Sequence, residues 1–245
     1  MKPSKKTPPN PQSGIKLVIF DCDGTLVDSQ HNITAAMIHA FTVHGLPPPL
    51  VPDILSIVGL SLPETFRVLA AAHPAATQRG LADSYRDAFA SGRLARRQEE
   101  LLYPAIKETV AALSARPDTR LGVATGKSKR GVARLFDQEG WHTSFHTIQT
   151  ADDHPSKPHP SMIHKAMAEA GAHPAQTVMI GDTAFDIEMA RNAGVGAIGV
   201  AWGYHKRKRL MEAGAHAIVD DGPSLLSAID GRLSAQRRDV EDETT

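Results

Sequence analysis

The chain has 245 residues, enough for one large domain or for a core with an insert. Hydrophobic residues make up 41%, and 27 basic side chains balance 27 acidic ones, so charge signals neither a nucleic-acid nor a membrane partner. No apolar run approaches the ~18 residues that cross a bilayer. A single cysteine, Cys22, precludes an intrachain disulfide and suits a cytoplasmic protein.

Residues 1–14, MKPSKKTPPNPQSG, are basic with no apolar signal core behind them, and read as a flexible tail. Lys16–Phe20 (KLVIF) is then a continuous apolar run of the kind found in buried parallel strands. It leads into Asp21-Cys22-Asp23-Gly24-Thr25. Residues 31–103 carry no convincing strand. Ile33, Met37, Ala40, Phe41 and His44 share one helical face, and Pro47-Pro48-Pro49 ends that helix. Leu62, Phe66 and Leu69 predict a second helix. Leu81, Tyr85, Ala88 and Phe89 predict a longer one. This stretch reads as a helical module inserted after the first strand. Arg93, Arg96 and Arg97, with Glu99 and Glu100 behind them, read as a salt-bridged surface helix.

Strand and helix alternate from Tyr103-Pro104 onward. Arg120–Ala124, Thr177–Ile180 and Ala197–Ala201 are strong strand candidates; His146–Gln149 and Ala217–Val219 are weaker. Ile106, Val110 and Leu113, then Val132, Leu135 and Phe136, then Met162, Ile163, Ala166, Met167 and Ala170 recur at helical spacing. The expected fold is α/β, a doubly wound parallel sheet with an inserted helical cap. The core takes residues 15–30 and 104–232, the cap 31–103, and a second flexible tail 233–245. The basic cluster His205-Lys206-Arg207-Lys208-Arg209 reads as a solvated helix start. The twelve histidines show no spacing that suits zinc.

The informative pattern lies just past the end of each strong strand. Asp21 and Asp23 come after the first, Thr125 and Gly126 after the second, Asp182 and Asp186 after the third, with Lys157 between the last two. Singly, each is an ordinary turn or helix cap. Open parallel sheets bind ligands at the carboxyl ends of their strands, so together these residues gather on one edge. Clustered carboxylates repel unless something positive sits among them. Oxygen ligands of this kind suit Mg²⁺, which binds one or two carboxylates plus phosphate oxygen. Lys157 would attract the same phosphate, and backbone N–H groups near Gly24 and Gly126 would cradle it. An aspartate is also a competent nucleophile at phosphorus.

These residues resemble the motifs of the haloacid dehalogenase superfamily, in the phosphoglycolate-phosphatase-like branch with a helical cap. Asp21-x-Asp23-Gly-Thr-Leu-Val-Asp28-Ser29 matches the first motif, Thr125 the second, Lys157 the third, and Asp182 with Asp186 the fourth. The resemblance implies a Mg²⁺-dependent phosphomonoester hydrolase acting on a small phosphorylated metabolite, with phosphoglycolate a candidate. Asp21 would attack phosphorus. Asp23 would protonate the leaving alcohol and then deprotonate water. The metal would sit on Asp21, the Asp23 carbonyl and Asp182, with Asp186 in support. Gly24, Thr25, Thr125, Gly126 and Lys157 would hold the phosphate. Cys22 would point away from both aspartates by strand alternation.

Dehalogenase relatives lack an aspartate at the position of Asp23, and phosphonatase relatives use a cap lysine, which residues 31–103 do not contain. A sugar phosphomutase of the same superfamily and, in another class, a phospho-aspartate signalling domain remain alternatives. Gly59, Leu60, Ser61 and Arg67 are the candidates for reading the leaving group. Relatives usually carry Pro-Gly where the cap rejoins the core. Pro104-Ala105 departs from that, and alanine is expected to shift the hinge dihedrals. Oligomeric state is not legible.

Overall fold

The computed structural model describes residues 14–90 and 100–242. The strands in chain order are β1 (Lys16–Phe20), β2 (Val27–Asp28), β3 (Leu101–Leu102), β4 (Thr119–Thr125), β5 (Phe145–Thr150), β6 (Thr177–Gly181), β7 (Gly196–Val200) and β8 (Ala217–Val219). Six of them form one sheet in the order β5-β4-β1-β6-β7-β8, and every pairing in it is parallel. The chain runs outward from β1 through β4 to β5, then returns to β6 on the other side of β1. Strand order therefore reverses around β1, which is where such sheets bind ligands.

Alternation along β1 divides the core in two. Leu17 and Ile19 pack with Met162, Ile163 and Ala166 on one face. Val18, Phe20 and Cys22 pack with Val110, Leu113, Leu135 and Phe136 on the other. Both faces are buried, which is why these strands read as unbroken apolar runs. The first face is covered by α7 (Ser161–Ala170), α8 (Ala184–Asn192) and α9 (Arg207–Glu212). The second is covered by α5 (Ile106–Ser114), α6 (Lys129–Glu139) and α10 (Gly222–Asp242).

β2 and β3 pair antiparallel, outside the main sheet. Between them lie α1 (Gln30–Val43), α2 (Val51–Leu55), α3 (Leu62–Leu69) and α4 (Ala75–Ala90). These helices have an apolar core of their own, in which Phe66 and Leu81 are fully buried among Ile33, Met37, Phe41 and Ile54. Each such side chain contributes about 1.5–3 kcal/mol by leaving water. The short α2 was not legible from periodicity, since a five-residue helix offers no repeat. The predicted run at Arg93, Arg96 and Arg97 lies outside the described residues.

The structure corrects one expectation. The predicted tail at 233–245 is helical as far as Asp242, because α10 keeps an apolar face: Leu233 is buried. The buried Gln236 donates to the Pro174 carbonyl at 3.1 Å. Ala105, at the hinge, adopts a conformation that few non-glycine residues take. It sits at φ +63°, in the left-handed region that favours glycine. Among the described residues no helix is long and apolar enough to cross a membrane.

Candidate active site

Asp21 stands one residue past β1, its N–H still bonded to the Ile180 carbonyl at 2.9 Å. Asp182 comes directly after β6, and Asp186 lies in the first turn of α8. One oxygen from each of the three lies within 4.8 Å of the others, and all three side chains are buried. The Lys157 ammonium sits 2.9 Å from Asp21 Oδ1 and donates to Asp186 Oδ1 at 2.6 Å. Burial alone would lower the Lys157 pKa, but Asp186 and Asp21 outweigh it and raise it. Asp186 is held by its own helix start: the Thr183 N–H and hydroxyl donate to its Oδ2 at 3.1 and 2.7 Å.

Asp182 accepts from the Thr25 hydroxyl at 2.9 Å and from the Tyr204 N–H at 2.8 Å. Gly24, at φ +89°, makes room for it. A Cβ there would lie 2.3 Å from Asp182 Oδ2. Gly24 and Thr25 thus shape the Asp182 pocket. Their N–H groups donate to the Val27 and Cys22 carbonyls.

Asp21 has Lys157 and the Thr125 side chain as its polar partners. Burial, partly countered by Lys157 and reinforced by Asp186, pushes its pKa up to about 6. Burial with Asp186 and Asp21 raises that of Asp182 as well. Three buried carboxylates sharing one ammonium leave negative charge uncompensated. That donor set fits a hard divalent cation.

Asp23 faces a different partner set. Its Oδ1 accepts from Lys127 Nζ at 2.7 Å and from the Ser29 hydroxyl at 2.5 Å. Lys127 also donates to Glu100 at 2.9 Å, so Glu100 is paired with the core. Sequence reasoning gave Lys127 no role. Its only signal was its place two residues after Thr125.

Asp21, Asp23, Thr125 and Gly126 line a cavity of about 530 Å³, whose cap side includes Gly59, Leu60 and Ser61. Lys157, Asp182 and Asp186 stand behind Asp21. The cap turn is seated on the core. Ser61 N–H donates to Ser156 Oγ at 2.8 Å. A Cβ on Gly126 would lie 2.7 Å from the Gly59 carbonyl, so only glycine allows this approach. Arg67 does not join the wall. It turns to solvent and pairs with Glu64 at 2.7 Å, because α3 buries Phe66 and so directs its neighbour outward. His205 is buried and not solvated.

The sequence pattern of haloacid dehalogenase-like hydrolases matches residues 18–200. The chain belongs to this family. Its relatives place it among the family's phosphatases. It is 37% identical to the Dickeya dadantii protein named "Probable phosphatase IndB", across 86% of this chain and 92% of that one. It is 30% identical to a phosphoglycolate phosphatase of Agrobacterium fabrum, across 89% and 93%. A haloacid dehalogenase-like family hydrolase from Streptococcus pneumoniae superposes with TM-score 0.75 at 25% identity, covering 88% and 99%.

Proposed function

We propose that this haloacid dehalogenase-like hydrolase is a Mg²⁺-dependent phosphomonoesterase that works through an aspartyl-phosphate on Asp21. One observation carries the reading. Asp21 is the carboxylate of the buried group that reaches the cavity, and the Lys157 ammonium at 2.9 Å holds it there in a cluster with Asp182 and Asp186. A carboxylate so placed is an available nucleophile.

Asp21 Oδ attacks the phosphorus of the ester, and the bond from phosphorus to the alcohol oxygen breaks. Asp23, held at the cavity wall by Lys127 and Ser29, gives its proton to that oxygen. It then takes a proton from the water that cleaves the aspartyl-phosphate. Thr125 donates to the phosphoryl group from the end of β4. Lys157 keeps Asp21 and Asp186 from repelling each other while charge moves. Asp21, Asp182 and the Asp23 carbonyl would hold Mg²⁺, with Asp186 behind them. The ion when bound neutralises charge on the phosphate oxygens. Phosphoglycolate is a substrate to assay because curated relatives carry that name.

The test is hydrolysis of p-nitrophenyl phosphate by the purified protein. Turnover with Mg²⁺ that stops on adding a chelator and returns with excess Mg²⁺ is expected. Turnover indifferent to the chelator would overturn the metal-dependent reading.

A further inference from the structure

We propose that the phosphate ester carries a bulky apolar body, such as a ring, on its alcohol side, seated between α1 and α4. This rests on the phosphatase reading of the same site.

The cavity of about 530 Å³ is measured with the cap already in contact with the core. Ser61 is bonded to Ser156 at 2.8 Å, and Ser56 is bonded to His205 at 3.0 Å. On the far side Glu100 is bonded to Lys127 at 2.9 Å. The volume is therefore not the mouth of a swung-open cap. It falls in the range of sites that bury drug-sized ligands, about 300–1,000 Å³. A leaving group as small as glycolate would leave most of it to water.

The wall has the wrong chemistry for a compact acid. Ile33, Met37, Val58, Leu60, Tyr85 and Phe89 face the cavity from the cap. A carboxylate set against them would lose hydration with only the Tyr85 hydroxyl among these six to donate in return. Three of the cations lining the cavity are engaged: Lys127 with Asp23 and Glu100, Arg86 at the surface with Asp83 at 2.7 Å, and the half-buried Arg134 of α6, which is not free either. Arg130, in the first turn of α6, is exposed at the rim of the cavity, beyond the apolar wall. Tyr85 and Phe89 pair with centroids 5.1 Å apart at 46°, a corner that receives a third ring at its edge or face. Burying apolar area against these side chains is the favourable term on offer. The ligand order that fits is phosphate at Asp21, apolar body at α1 and α4, and any polar end toward Arg130.

The experiment compares alkyl phosphates, so that leaving-group reactivity is held nearly constant. Steady-state kcat/KM is measured with Mg²⁺ for 2-phenylethyl phosphate, ethyl phosphate and phosphoglycolate, with a nucleoside 5′-monophosphate and flavin mononucleotide as larger ring-bearing arms. The expected result is a preference of about tenfold or more for the ring-bearing esters, and a smaller preference in Phe89→Ala and in Tyr85→Leu. Equal or better turnover of phosphoglycolate overturns this inference and leaves the phosphatase reading standing. No turnover of any ester overturns both.

Discussion

His205 Nε2 lies 3.0 Å from the carbonyl of Ser56, so a core side chain holds the cap at the turn just after α2. The other ring nitrogen decides the tautomer. Nδ1 accepts from the Ala184 N–H at 2.9 Å, at the start of the helix that carries Asp186, so the proton sits on Nε2 and points at Ser56. Arg209 shares the Ser56 carbonyl at 3.3 Å and lies over the Phe185 ring. Burial first, then Arg209, keeps His205 neutral by lowering its pKa. One imidazole thus links cap seating to the aspartate-bearing helix.

Two half-replacements separate these bonds. His205→Asn keeps an acceptor near Nδ1 and loses the reach to Ser56. It should cost about 1 kcal/mol of stability, one neutral hydrogen bond, and raise KM for p-nitrophenyl phosphate several-fold. His205→Gln keeps the reach and strands the Ala184 N–H. It should cost about 1–3 kcal/mol with KM near wild type. Urea unfolding and steady-state kinetics read both; equal KM values would remove the cap contact from the functional account.

The Asp21–Lys157–Asp186 group should respond asymmetrically. Asp21→Asn removes the proposed nucleophile, and turnover should fall by about 10⁴ or more, while metal-free stability should not fall. Lys157→Met leaves carboxylates buried without their cation and should cost about 3–5 kcal/mol. Denaturant midpoints of the two variants, side by side, check this. Equal destabilisation would mean Lys157 does not carry the cluster's charge.

Added Mg²⁺ should stabilise the protein, and more so as pH rises. The Asp21 pKa stands at about 6 in the folded chain against an ordinary 3.8, so the folded state favours the proton. That contribution is complete below 3.8 and is lost as pH rises through about 6. A cation would then take the proton's place. At a hundredfold excess over Kd the gain is about 2.7 kcal/mol. Thermal melts at about pH 5 and about pH 7.5, with and without Mg²⁺, should show the larger shift at the higher pH. A shift independent of pH would separate the ion from Asp21.

Ala105→Gly should raise the melting temperature. A left-handed non-glycine residue costs about 1–2 kcal/mol, and glycine returns about 0.5–1 kcal/mol of that as lost chain entropy. The net gain, up to about 1 kcal/mol, corresponds to a few degrees in a chain of this size. A lower melting temperature would show that the hinge carries no such strain.

The sheet and the group of residues at its strand ends were legible in the amino-acid order alone. Strands buried on both faces must be apolar throughout, so KLVIF and its counterparts stood out without any structural information. Asp21, Asp23, Thr125, Asp182 and Asp186 could be read because each sits within a few residues of a strand end, where topology brings them together. Contacts between distant segments obey no periodicity, and tertiary packing settled them. Lys127 meets Asp23 across 104 positions, and His205 meets Ser56 across 149. Arg67 and Leu233 depend on how a helix is rotated against its neighbour, which no composition rule states. The shape and apolar lining of the cavity belong to the same class. They arise where the cap packs on the core, and that meeting exists only in three dimensions.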